Sequence, residues 1–247
     1  MYYKFGISSI LISCLALSMC TTPNDSNKLE TLPYRDANYE HTINGTTVNY
    51  TISIPKTYDS LGELPLILAL HFGGDQTTYY GQEFLNFLVK PALESLDVIF
   101  LAPTCPSPVG WTDEISEGIV MALIDTITTH YRINRNKILV TGFSLGGIGT
   151  WHYAAKFPQI FGAAIPIASS PQSSITALIQ DIPLYVIHSD ADEIFPVQDL
   201  QQVVTELQSR GVDVEFKIVE NASHYNTTAF IIPLYETIPW IKQHWGE

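Results

Sequence analysis

Hydrophobic and polar positions along the chain alternate between two kinds of stretch. Continuous apolar runs occur at "LPLILALHF" (64–72), "DVIFLAP" (97–103), "KILVTG" (137–142), "GAAIPIAS" and "IPLYVIHS". Such runs fit strands buried on both faces. Between them apolar residues recur at helical spacing, as in Ile115, Ile119, Val120, Leu123 and Ile127, or Leu200, Val203, Val204 and Leu207. "GQEFLNFLVKPALESL" predicts a helix kinked at Pro91, and "LGGIGTWHYAAKF" a second helix. Gly211 is placed to cap the helix that contains Leu207. "VDVEFKIVE" alternates as a strand, and "TAFIIPLYETIPWIKQHW" closes the chain as an interrupted helix. Asn44-Gly45, set between β-favouring runs, predicts a hairpin. Strands alternating with helices require crossover connections. The expected fold is therefore α/β, with a mostly parallel central sheet, helices on both faces and an antiparallel hairpin at one edge.

Length and charge narrow the picture. The chain has 247 residues, of which 46% are hydrophobic, enough for one large domain. Lys and Arg number 12 against 25 Asp and Glu, a net charge of -13. That balance repels phosphate backbones, so nucleic acid is excluded as a partner. Lys4 precedes an uncharged apolar stretch, Phe5 to Met19, which is short for a membrane span and has the form of an export signal. Residues 1–19 are read as a signal peptide, 20–37 as a polar tether with two prolines, and 38–247 as the folded domain. The run "LALSMC" resembles the lipobox of bacterial lipoproteins, with Met19 where that pattern has a small residue. The resemblance implies acylation at Cys20 and a place at the cell envelope; ordinary cleavage near Ser18 would give a periplasmic or secreted protein. Any membrane contact is expected through that anchor alone. Cys105 is the one cysteine left in the body of the chain, so no disulfide within the domain is expected.

The chemistry begins at "VTGFSLGGIGTW". Gly142-Phe143-Ser144-Leu145-Gly146 lies between strand-like and helix-like residues, the context a Gly-x-Ser-x-Gly turn requires. A serine there has its hydroxyl thrust out at the carboxyl edge of the sheet, while side chains at 142 and 146 would strike neighbouring backbone. No lysine follows as in a phosphate-binding loop. A serine nucleophile needs a base, and the base an orienting acid, in the order Ser, acid, His. His152 is too close in sequence to swing back, His188 ends a strand, and His244 is in the terminal tail. His224, in the loop after "VDVEFKIVE", is the expected base. The acid comes from "HSDADEIFP", where Asp190, Asp192 and Glu193 all compete. The amide of Leu145 and one from "LHFGGD", at Gly73 or Phe72, are the expected oxyanion donors.

Together these residues resemble the α/β-hydrolase family, and more narrowly its serine carboxylesterases: the phospholipase/carboxylesterase, acetyl-xylan and feruloyl esterase and polyhydroxybutyrate-depolymerase-like group. The likeness runs from about residue 45 to the end. The resemblance implies an α/β-hydrolase fold and selects Asp192, four residues after His188, from "PLYVIHSDADEIFPV". It implies cleavage of carboxylic esters through an acyl-enzyme, without metal or cofactor. Phe72 stands where the family has glycine, and its ring is expected to narrow the acyl pocket or redirect the loop. Ser189 also replaces a glycine. "APTCPSPVGW" resembles the family's proline-rich loop, which puts Trp111 at the pocket or in the packing behind it. The interval from 146 to 181 has no long insertion, so no large lid is expected, and an open site suits short-acyl or polysaccharide-linked esters. A prolyl-oligopeptidase-like peptidase would need a gating domain for which there is no room. A dienelactone-type reading calls for a cysteine nucleophile, which Ser144 opposes. A non-catalytic binder that kept the fold is the remaining alternative.

Overall fold

A computed structural model describes residues 36–43 and 45–247. The expected signal segment 1–19, Cys20, the tether up to residue 35 and Asn44 lie outside the described residues. Eight strands form one sheet: β1 Asp36–Ile43, β2 Thr46–Ser53, β3 Leu64–Leu70, β4 Ile99–Pro103, β5 Ile133–Phe143, β6 Ala163–Ile167, β7 Leu184–Ser189 and β8 Val214–Val219. Their order is β1-β2-β4-β3-β5-β6-β7-β8. β1 and β2 pair antiparallel, β2 joins β4 antiparallel, and every later pairing is parallel. The hairpin thus sits at one edge, as expected. β1 takes in the last two residues of the expected tether: Asp36 pairs with Ser53 and Ala37 with Ile52.

Helices α1 Tyr80–Phe84, α2 Lys90–Leu93, α3 Glu114–His130, α4 Leu145–Lys156, α5 Ser173–Thr176, α6 Val197–Ser209, α7 Ile231–Tyr235 and α8 Ile238–His244 cover the sheet. The period of two along each strand divides the core. On β3, Leu64, Leu66, Leu68 and Leu70 pack with Ile119 and Leu123 of α3, Trp151 of α4 and Leu200 of α6. Ile67 and Ala69 point the other way, to Phe84 of α1, Leu234 of α7 and Ile241 of α8. Both faces of the central strands are therefore apolar, which is why these segments read as unbroken runs.

The kink expected at Pro91 takes another form. A π turn spans Leu85–Val89, and Pro91 falls in the first turn of α2, where its missing N–H is no loss. The four-residue α5 carries no periodicity and is not legible in the sequence. α6 ends at Ser209, and Gly211 follows at φ +82°, a left-handed conformation that closes the helix. Among the described residues no helix is long and apolar enough to cross a membrane.

Candidate active site

The parallel strands β3, β5, β7 and β8 all deliver their carboxyl ends to one edge, and each is followed by a segment of the site. Phe72 and Gly73 come after β3, Ser144 after β5, Asp192 after β7 and His224 after β8. This is the edge where open α/β sheets bind ligands.

Ser144 lies between Phe143, the last residue of β5, and Leu145, the first of α4, with no residue to spare. Its backbone is forced to φ +53°, ψ −114°, a conformation that costs an L-residue ~1–3 kcal/mol. Its own N–H is satisfied by the Ile167 carbonyl at 3.0 Å. The tightness of the turn explains the glycines. A Cβ on Gly142 would come 2.4 Å from the Gly146 carbonyl oxygen, and one on Gly146 would come 1.8 Å from that of Leu70. Both obstacles are backbone and cannot swing aside. Gly146→Ala is therefore expected to destabilise the fold by about 3 kcal/mol or more, seen as a lowered urea midpoint or lost soluble yield. An unshifted midpoint would show that the turn has room the geometry denies.

The structure brings Ser144, His224 and Asp192 into one hydrogen-bonded row. Ser144 Oγ lies 2.9 Å from His224 Nε2, and His224 Nδ1 lies 2.8 Å from Asp192 Oδ2. Since a carboxylate only accepts, Nδ1 carries the proton and Nε2 is free to receive one from the serine. Asp192 Oδ1 accepts from the amides of Ile194 at 2.9 Å and Phe195 at 2.8 Å, which aims the carboxylate. His224 and Asp192 are buried, so this polar row works out of bulk water, where electrostatic interactions are stronger.

Of the acids that competed on sequence grounds, only Asp192 touches the imidazole, and the other two have different partners. Asp190 Oδ1 accepts from the Asn221 amide at 2.7 Å. Glu193 accepts from the Ser223 hydroxyl and, at 2.7 Å, from the His224 backbone amide. Those two bonds hold the Glu193 carboxyl below its usual range. Ser189, the substitute for a glycine, donates to the Ala222 carbonyl at 2.6 Å. Residues 189, 190, 192 and 193 are thus laced to residues 221–224. This lacing fixes the base relative to the acid, and nothing in either segment alone reveals it.

The other histidines that follow Ser144 are occupied elsewhere. His152 pairs with Glu117 of α3. His244 meets Asp213 at 3.0 Å. His188 is buried and donates from Nε2 to the Phe195 carbonyl at 2.8 Å; burial lowers its pKa. It braces the acid loop from beneath. Cys105 is a free, buried cysteine whose thiol burial pushes up to about 11.

The loop expected to supply an oxyanion donor is held by His71, to which the sequence assigned no role. His71 is fully buried. Its Nδ1 lies 2.6 Å from the Phe72 carbonyl and its Nε2 accepts from the Cys105 amide at 2.9 Å. The carbonyl can only accept, so the proton sits on Nδ1. A trans peptide sets N–H opposite C=O, so tying the Phe72 carbonyl to His71 turns the Gly73 amide to the other side. Gly73 and Leu145 are neighbours: a Cβ on Gly73 would lie 3.7 Å from Leu145 Cδ2. Leu145, as the first residue of α4, has an N–H with no partner within the helix. Gly73 and Leu145 both line a cavity of about 380 Å³, with Phe72, Phe143, Ser144, His224, Tyr225 and Thr227. Of the two places expected for Trp111, the pocket or the packing behind it, the structure shows the packing. Trp111 is fully buried and donates from Nε1 to the His71 carbonyl at 3.0 Å, so it supports the loop from behind. Tyr225 and Thr227, which do line the cavity, follow His224 in a loop without periodicity and give no sequence signal.

Burial drives the His71 pKa down to about 4, against the opposing pull of the Phe72 carbonyl. The unfolded chain takes up this proton near the ordinary 6.5, whereas the folded one does so only near 4. The stability contributed by this group is full above pH 6.5 and is lost as pH falls toward 4, by about 3 kcal/mol. The thermal midpoint should therefore drop across that window, and drop less in His71→Asn. Equal slopes in the two proteins would remove His71 as the source.

Among the described residues no group of three or more His, Cys, Asp or Glu is placed to hold a metal ion. Residues 109–232 match the model of the dienelactone hydrolase family. Protein usf of Aquifex pyrophilus is 28% identical over 109 residues, 44% of this chain and 47% of its own length. The bifunctional acetylxylan esterase/xylanase XynS20E of Neocallimastix patriciarum is 23% identical over 145 residues, 56% of this chain and 20% of its own. The chain spans less than half the length of these curated relatives. Among solved structures, a thermostable esterase superposes with a TM-score of 0.73 at 26% identity, covering 84% of this chain and 62% of that one.

Proposed function

The chain belongs to the dienelactone hydrolase family, and from that premise we propose that it is a serine hydrolase of carboxylic esters working through an acyl-enzyme intermediate. Membership corrects the weight given to Ser144 against dienelactone-type relatives: the family takes in this chain with an alcohol at the turn. The observation that carries the reading is the row Ser144–His224–Asp192 opening onto an apolar cavity beside two amides.

In this reading Ser144 Oγ attacks the ester carbonyl carbon while its proton passes to His224 Nε2. The carbonyl oxygen takes the negative charge and is met by the Leu145 and Gly73 amides. Collapse of the tetrahedral adduct breaks the bond to the alcohol, which leaves with the proton from His224. Water then gives a proton to the same nitrogen as it attacks the acyl-serine, and a second collapse returns the proton to Ser144 and frees the acid. Asp192 keeps the imidazole in the productive tautomer and stabilises its cationic form.

Short-acyl or polysaccharide-linked esters are the proposed substrates, a class in keeping with the acetylxylan esterase/xylanase among the relatives. The test is hydrolysis of p-nitrophenyl acetate, butyrate and laurate, acetylated xylan and methyl ferulate. Turnover of soluble monomeric esters is expected; activity that appears only above the micelle threshold of laurate would overturn the substrate class. Export through residues 1–19, with lipidation at Cys20, is a further part of the proposal and rests on the apolar stretch and "LALSMC".

A further inference from the structure

One wall of the cavity is the residue that departs from the family's glycine. Phe72 leaves the sheet just after β3, and its ring is met edge-on by four aromatic rings. Tyr80 lies at 5.4 Å and Phe84 at 6.1 Å, both on α1; Phe87 of the π turn lies at 5.8 Å, and Phe143 at the end of β5 at 6.3 Å. Phe84, Leu85 and Leu88 behind it are fully buried core. A ring gripped in this way does not swing clear. Its remaining surface borders the cavity beside Ser144. At about 380 Å³ the space is near the small end for a ligand site.

The alcohol oxygen must depart toward His224 Nε2, which supplies its proton. Phe72 meets Phe143 at 6.3 Å, and Phe143 in turn meets His224 at 5.4 Å, so the acyl substituent, bonded to the carbonyl carbon away from the departing oxygen, is assigned the Phe72 side. We propose that Phe72 sets the length of the acyl group, stopping a straight chain after a few carbons, and is the specificity-determining residue of this esterase. The inference rests on the esterase reading above and adds the reason for a short acyl group. Removing the ring opens the cavity toward an apolar layer, which receives methylenes instead of polar groups.

The test compares kcat/KM for p-nitrophenyl butyrate and octanoate, below their micelle thresholds, in the natural protein, Phe72→Ala and Phe72→Leu. Each methylene newly buried is worth about fourfold. The octanoate-to-butyrate ratio should therefore rise tenfold or more in Phe72→Ala and by a smaller factor in Phe72→Leu. A ring that only supported the fold or the loop would slow all esters alike and leave the ratio unmoved. If Phe72→Ala does not fold, Phe72→Leu carries the test. A ratio within twofold of the natural protein in the folded variants overturns the role of Phe72 while leaving the esterase reading intact. Absence of hydrolysis of every ester by the natural protein overturns both.

Discussion

Ser144→Ala is expected to lower kcat for p-nitrophenyl acetate by about four to six powers of ten. The residual rate comes from the cavity and the two amides, which the substitution leaves in place. The size of the loss follows from the geometry. Ser144 Oγ lies 2.9 Å from His224 Nε2, the hydrogen bond that sets it apart from the hydroxyls of Tyr225 and Thr227 on the same cavity. His224→Ala should cost about as much, and the double variant little more than either single one, because the three groups act as a unit. Losses that multiplied would mean that the two residues act in separate steps. Stopped assays on purified protein, with a far-ultraviolet spectrum to show that the fold is kept, decide between the outcomes.

Asp192→Asn is expected to cost about four powers of ten, whereas Asp190→Asn should stay within tenfold of the natural protein. An amide at 192 can offer N–H where His224 Nδ1 now donates at 2.8 Å. That forces the proton onto Nε2 and blocks the serine. At 190 the side-chain bond at stake is the one accepted from the Asn221 amide, which an asparagine oxygen can still accept. The reversed order of losses would move the acid two residues along the loop.

The layered core was legible because fully buried parallel strands write themselves as unbroken apolar runs and surface helices as a period of 3.6. The serine turn was legible because its chemistry is local: β5, Ser144 and α4 are contiguous. Asp192 needed more than pattern, since three carboxylates crowd the four residues 190–193 and only the folded loop decides which one reaches His224. Glu193 and Ser189 show why. Their bonds reach 30 or more residues forward, to Ser223, His224 and Ala222, and no spacing rule reports a contact of that kind. His71 escaped for the same reason, and Trp111 stayed open between pocket and packing, until their bonds to Phe72 and to the His71 carbonyl are seen. Pro91 marked an irregularity in this segment but not its form, a π turn over Leu85–Val89.

The account stands on Ser144 as an activated nucleophile. Its most direct measurement is the intact mass and peptide map of the protein after brief exposure to a fluorophosphonate. One adduct on Ser144 is predicted, absent from Ser144→Ala and formed far more slowly in His224→Ala. A natural protein that takes up no label, or that carries it at another residue while Ser144→Ala cleaves esters undiminished, would contradict the account.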